Sequence, residues 1–215
     1  MSPRRRGRFI VFEGIEGAGK STQMRLVAEG LARIGVEPVA TREPGGTAVG
    51  EAIRSIILDR GRSIDAVTEA LLILAARATF VDAVVRPSLA RGRVVLSDRY
   101  DLSTFAYQGG GRGLSVRRLR ELNEFATGGL RPDLYIVLDV ELERGLERSR
   151  RKGRDRIESE DVEFHRRVAE SYRELARTEP DLALVDARAG VDEVFRAVWA
   201  ALSRRLPETF PPRAG

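Results

Sequence analysis

The chain has 215 residues, 42% hydrophobic and 32% charged, with 21 Gly, 9 Pro and a formal charge of +5. Disordered, collagenous and low-complexity classes are excluded, and one globular domain with a sizeable core is expected. There is no Cys and one His, His165, which removes disulfide frameworks, thiolate zinc sites and Cys nucleophiles and argues against Ser-His-Asp catalysis.

Residues 1–8 are basic through Arg4, Arg5, Arg6 and Arg8 but carry no apolar segment, so they read as a solvated tail. No stretch approaches the ~20 apolar residues of a membrane span, and a cytoplasmic protein is expected. The first strand is predicted at 9–12. It runs directly into Gly14-Ile15-Glu16-Gly17-Ala18-Gly19-Lys20-Ser21-Thr22, followed by a helical pattern through Leu26, Val27 and Leu31. This is G-x-x-x-x-G-K-[ST] in its required strand, loop, helix context. The glycines let backbone amides and a helix N-terminus face phosphate oxygens, Lys20 bridges the outer phosphates, and the Ser21 hydroxyl suits magnesium. Lysine occurs elsewhere only at Lys152, which makes Lys20 conspicuous.

Further apolar runs at 36–40, 94–96, 134–138 and 182–185 alternate with helical patterns. Strands of this kind, separated by helices, predict an α/β fold: a three-layer, five-stranded parallel sheet with helices on both faces. Residues 71–76 are apolar all round, as expected of a helix covered by the sheet and by neighbours or a second subunit. The strand at 94–96 leads to Asp98, placed at the carboxyl end of the sheet within reach of the magnesium of the loop. Arg99 follows where water-activating ATPases often carry a second acid, and no Asn-Lys-x-Asp motif occurs; both point to transfer onto a bound acceptor. The segment 141–153 reads as a helix with Arg144, Arg148 and Arg151 on one face, running into a cation-dense stretch beside Gly153. In the last helix, Val191, Val194, Phe195, Val198, Trp199, Leu202 and Leu206 share one face, which assigns Trp199 to the core. Residues 9–206 form the expected domain and 207–215 a tail.

Together with the loop, Thr41-Arg-Glu-Pro-Gly-Gly-Thr47, Ala75-Ala-Arg77, Asp98-Arg-Tyr100 and the stretch 101–113, which contains Tyr107-Gln-Gly-Gly-Gly-Arg-Gly113, occur in order. The chain resembles the bacterial thymidylate kinases, of the P-loop nucleoside monophosphate kinase family, from residue 9 to about 199. The resemblance implies a homodimer that transfers the γ-phosphoryl of ATP to dTMP with Mg2+. It implies that Glu16 accepts from the sugar 3′-hydroxyl, that Arg42 and Arg99 hold the acceptor phosphate, and that Arg77 contacts the thymine edge with Ser103 and Thr104 nearby. Tyr107 would lie against the deoxyribose, with Gln108 close by. Ile73 stands where family members commonly place a stacking Phe, which puts base selectivity in question. The resemblance names 148–158 as a lid; because the loop offers Gly17 where some members place a catalytic Arg, the lid must supply it, with Arg150, Arg151 and Arg154 as candidates. The adenine would rest between a lid-proximal Arg and Asp186-Ala187-Arg188.

The acceptor oxygen of a nucleotide phosphate is already anionic, so direct in-line transfer needs no strong base and the scarcity of His is no obstacle. Two alternatives stand beside this reading. One is a kinase for another nucleotide or a deoxynucleoside. The other is a nucleic-acid-binding protein with a vestigial loop, motivated by a pI of 10.2 but poorly served by 6% aromatic content.

Overall fold

A computed structural model describes residues 6–150 and 155–212. Five parallel strands, β1 (Arg8–Glu13), β2 (Val39–Arg42), β3 (Val94–Asp98), β4 (Leu134–Asp139) and β5 (Leu182–Asp186), lie in the order β2-β3-β1-β4-β5. Phe9, Ile10, Val11 and Phe12 alternate between the faces of the central strand, and all four are 0% exposed; helices therefore cover both faces, as the β-branched and aromatic runs predict. Nine α-helices account for most of the remaining regular structure among the described residues: α1 (Lys20–Arg33), α2 (Ala48–Leu58), α3 (Ala66–Phe80), α4 (Arg86–Ala90), α5 (Asp101–Thr104), α6 (Val116–Thr127), α7 (Leu142–Arg150), α8 (Val162–Thr178) and α9 (Val191–Arg205). Register places Arg42 beside Asp98 and Asp98 beside Phe12. The strand ends that carry chemistry thus meet at one carboxyl edge, where β1 passes between β3 and β4 and open parallel sheets bind ligands.

Two expectations are corrected. The second strand begins at Val39 rather than 36, because Val36 belongs to the end of α1: its N–H donates to Leu31 O and that of Gly35 to Ala32 O, both at 3.0 Å. That pair of bonds is a Schellman stop, and it consumes the residue that pattern alone assigns to the strand. The segment from Pro207 is no tail as far as it is described. Phe210 is fully buried with its ring edge-on to Trp199, and Trp199 Nε1 donates to Pro211 O at 2.9 Å. Trp199 is core as predicted, but its indole N–H needs a partner when buried, and the chain end supplies one. At the other end Arg8 already lies in β1, paired with Asp133 at 3.0 Å.

Two wide, π-type turns interrupt the helices. One (Val81–Val85) joins α3 to α4; the other (Phe105–Gly111) extends α5 and carries Tyr107 and Gln108. Such turns concentrate at functional positions. The three glycines here serve packing: a Cβ at Gly111 would stand 2.5 Å from Phe164 Cε2, and one at Gly110 would run into Ser171 Oγ. The bareness of Gly110 and Gly111 lets α8 lie directly on this segment, and that of Gly109 admits Val116 of α6.

Candidate functional site

The loop between β1 and α1 wraps an open cavity lined by Glu16 to Gln23, and Lys20 is 6% exposed. Its Nζ donates to Gly14 O at 3.1 Å and Ile15 O at 2.9 Å. Burial, and then Arg99 nearby, lower the Lys20 ammonium below its ordinary range, against the pull of Glu16. Ser21 Oγ donates to Asp98 Oδ2 at 2.7 Å, so the hydroxyl and the strand-final carboxylate expected to share a metal do stand together. A hydroxyl and one carboxylate are hard donors, few enough to leave a magnesium ion its waters and phosphate oxygens; the residues fit that ion.

A second, smaller cavity adjoins the first. It is lined by Ile73, Arg77, Ser103, Thr104, Tyr107 and Gln108, the base and sugar residues of the resemblance, and closed by Pro44, Ile57 and Leu58. Glu16, Glu43, Arg54, Arg99 and Glu158 line both cavities and so form the wall they share. Arg42 lines only the larger one, exposed and paired with Glu51 at 3.1 Å.

Arg99 is the hub of that wall. Its Nη1 donates to Gly14 O (3.1 Å), Ser103 Oγ (2.9 Å) and Tyr172 OH (3.2 Å), while Nη2 pairs with Glu16 and donates to Tyr107 OH at 3.0 Å. Burial alone would raise the Glu16 carboxyl, but the Arg99 guanidinium and Lys20 ammonium hold it down to about 2, so it is a carboxylate at neutral pH. The Arg99 backbone has φ 78°, a left-handed conformation that costs a non-glycine residue of order 1–3 kcal/mol and persists only when its surroundings over-determine it. They do so here: Arg99 N–H donates to Phe12 O at 2.9 Å, Ser97 Oγ donates to Arg99 O at 2.8 Å, and the next amide, Tyr100 N–H, donates to Glu13 Oε1 at 2.8 Å. Glu13, fully buried, also accepts from the hydroxyls of Ser103 and Tyr172 at 2.6 and 2.8 Å.

Arg77 stands differently from the simple ligand contact the resemblance implies. It is 1% exposed, and four of its five N–H groups are committed: Nε to Glu43 Oε2 at 2.8 Å, and one N–H each, all at 2.9 Å, to Asn123 Oδ1, Tyr100 O and Thr104 Oγ1. Burial pushes the Glu43 carboxyl up, to about 7, against the attraction of Arg77. Arg77 is thus a structural post that lines the cavity with one Nη1 N–H not engaged by these four bonds.

The cation-dense stretch is only partly described: the side chain of Arg150, and Arg151 and Arg154 entirely, lie outside the described residues. What leads into it is clear. A Cβ at Gly145 of α7 would stand 2.7 Å from Glu16 O, and one at Gly17 would run into Gly145 O; two bare backbones touch where the helix crosses the loop. Arg148, one turn on, lines the larger cavity and its Nη1 approaches Gly17 O at 3.4 Å. Gly145→Ala must lift α7 off the loop, and because misplacement of ~1 Å can cost ~10²-fold, kcat/KM for the ligand of the larger cavity is expected to fall by roughly 10–100-fold. Steady-state kinetics with that ligand varied read this, and an unchanged value would show the contact to be slack.

Glu43, Arg54 and Glu158 of the wall, and Arg148 of the larger cavity, escape sequence reasoning. Arg54 donates to Pro44 O at 3.0 Å; its signal was present, since it shares the inward face of α2 with Gly50 and Ile57 at three- and four-residue spacing. Arg148 was seen only as one of a row of arginines. Glu158 reaches the wall because Arg156, on the far side of the undescribed stretch, docks on the end of α2, its Nε donating to Ile57 O at 2.8 Å. After β5, only Ala187 of the segment 186–188 lines the larger cavity; Arg188 and Asp186 are exposed and pair with each other at 2.6 Å.

Comparison with known proteins points to one family. The sequence model of one family, thymidylate kinase, matches residues 12–198. A thymidylate kinase of Desulforudis audaxviator is 48% identical over 205 residues, covering 94% of this chain and 93% of its own. One of Deinococcus radiodurans is 46% identical over 201 residues, covering 93% of this chain and 98% of its own. The crystal structure of thymidylate kinase from Ehrlichia chaffeensis superposes with a TM-score of 0.75 at 30% identity, over 91% of this chain and 98% of that one.

Proposed function

The chain belongs to the thymidylate kinase family, and on that premise we propose that its two joined cavities divide the reaction between donor and acceptor. The activity is ATP-dependent phosphoryl transfer to dTMP, giving dTDP and ADP. The larger cavity, built on the loop and α1, takes the phosphates of ATP; the smaller takes dTMP, its phosphate at the shared wall. The single observation that carries this division is the Glu16–Arg99 pair, which faces both cavities at once.

Arg99, Arg42 and Arg54 are forked donors suited to a dianion, and Glu16, held ionised by Arg99 and Lys20, accepts from the 3′-hydroxyl. An acceptor oxygen attacks the γ-phosphorus in line, the bond to the β,γ-bridging oxygen breaks, and ADP leaves with that oxygen; no proton need move. Lys20 and the lid arginines, with Arg150, Arg151 and Arg154 as candidates and Arg148 beside them, stabilise the charge spread over the transferring group. Ser21 and Asp98 would hold magnesium, which supplies charge neutralisation on the donor phosphates. The remaining N–H of Arg77 meets the thymine edge, Ile73 covers its face, and Tyr107 and Gln108 flank sugar and base.

The test is ADP production from ATP with dTMP, dUMP, dCMP, UMP, CMP, AMP and GMP offered separately. Strong preference for dTMP supports the pocket as assigned; activity spread over the other acceptors would keep the donor site and discard the acceptor pocket. The family match along 12–198 sets aside the nucleic-acid-binding alternative, and among the described residues no helix is long and apolar enough to cross a membrane.

The homodimer belongs to the same proposal. α3 packs between α2 and α6 yet leaves Val67 and Leu71 exposed, and α6 leaves Leu122 and Phe125 exposed, Phe125 at 90%. The helix that is apolar all round thus keeps one face uncovered, which favours a second copy over neighbouring elements as the cover of that face. Sedimentation of the purified chain is expected to return a dimer; a monomer at micromolar concentration would remove this part.

A further inference from the structure

Glu69, one turn into α3, has its side chain fully buried and takes no part in any contact above. Its donors come from distant stretches. Gln108 Nε2 reaches Oε1 at 2.8 Å, Arg112 Nε and Nη2 reach Oε1 and Oε2 at 3.3 and 3.1 Å, and Arg156 Nη2 pairs with Oε2. Both guanidiniums are held from elsewhere as well, Arg112 by Glu160 at 2.7 Å and Arg156 by Ile57 O. Burial pushes the Glu69 carboxyl up, but the bonds from Arg112, Gln108 and Arg156 bring it below its ordinary value. It is therefore a carboxylate at neutral pH, and a carboxylate only accepts. Gln108 must turn its NH2 toward Glu69, which sends Oε1 the other way. That Oε1 is buried and accepts no hydrogen bond from the described residues, while Gln108 itself lines the smaller cavity. A buried acceptor left without a donor is costly, and the cavity is where a donor can arrive.

We propose that Glu69 is a positioning residue for acceptor choice: it locks the amide of Gln108 so that Oε1 meets an N–H donor on the pyrimidine edge. This rests on the reading of the smaller cavity as the dTMP site. The imide N3–H of thymine is such a donor. Cytosine carries a lone pair at N3, and would set it against the lone pairs of Oε1. Arg112 and Arg156 act one step further out, keeping Glu69 charged and thus unable to donate.

In Glu69→Gln the new amide donates as well as accepts, so Gln108 is free to turn over and offer Nε2 to the cavity. The ratio of kcat/KM for dTMP over dCMP is expected to fall at least ~10-fold, with KM for dTMP up ~10-fold and kcat within ~3-fold. A merely structural role would depress both acceptors in parallel and leave the ratio alone. Gln108→Ala is expected to lower the ratio by itself, and adding Glu69→Gln to it should leave the ratio where Gln108→Ala put it, since the effect runs through that one amide. If Gln108→Ala lowers the ratio but Glu69→Gln does not, the positioning role is overturned and the cavity assignment survives. If Gln108→Ala affects neither acceptor, the assignment falls and this proposal with it. Should Glu69→Gln not fold, the wild-type enzyme decides with N3-methyl-dTMP: a loss of at least ~10-fold in kcat/KM against dTMP is expected, and equal use of the two overturns the proposal.

Discussion

Lys20→Ala lowers the turnover of dTMP phosphorylation by at least ~100-fold, the scale of removing one major electrostatic stabiliser from a transition state. The buried ammonium donates, among the described residues, to the carbonyls of Gly14 and Ile15. Both belong to the loop itself, and on the proposed reading the ammonium leaves them for the β- and γ-phosphates. The loss is therefore expected in kcat, with thermal unfolding close to that of the parent. Lys20→Arg should fail nearly as badly, because a broad, planar fork does not fit where a compact point charge sits 6% exposed within a wrapped loop. Steady-state kinetics at saturating ATP and dTMP measure this, and wild-type turnover in Lys20→Ala would refute the loop assignment.

Arg77→Leu strikes stability and acceptor binding together. The substitution strands the Glu43 carboxyl, 3% exposed, without its counter-charge, and it removes the donor from Asn123 Oδ1, Tyr100 O and Thr104 Oγ1. Breaking a buried pair from one side costs about 3–5 kcal/mol; here the loss is expected as the uptake of a proton by Glu43, whose carboxyl burial already pushes up to about 7 against Arg77, and as acceptors left without a donor. For a chain of this length that corresponds to a fall in Tm of roughly 6–20 °C. Removing both partners in Arg77→Leu with Glu43→Leu is expected to recover much of the loss, because replacing a buried pair by apolar groups is often near neutral. It should not recover dTMP binding if, as proposed, the remaining N–H of Arg77 meets the base. A single-variant loss below about 1 kcal/mol in thermal or denaturant melts would show that the network does not hold the pocket together.

The two variants separate what was readable along the chain from what was not. The phosphate loop was legible because its function is local: nine consecutive residues between a strand and a helix make the amide cradle, whatever the remainder of the chain does. The sheet was legible for a similar reason, since five short apolar runs separated by helical stretches admit few arrangements once crossovers are right-handed. The motif at 98–100 announced Asp98 and Arg99, and register then brought Asp98 beside Phe12 and Arg42. Where local rules competed, reading along the chain failed. Val36 had the pattern of a strand and went to a helix stop; Phe210 looked like part of a tail and became the cover of Trp199.

Local spacing by itself determined the fold class and the phosphate-loop motif, and the resemblance of its motifs to a family the reaction, because each of these rests on neighbouring residues or on a pattern repeated every few residues. Tertiary structure alone decided who stands beside whom. The contact of Gly145 with the loop, the docking of Arg156 on α2, the burial of Arg77 among four acceptors and the convergence on Glu69 join residues 23 to 129 positions apart. No pattern along a chain encodes such pairings; they exist because packing leaves buried charges and amides no water, so each must find its partner in another element or remain unpaired at a cost folding does not tolerate.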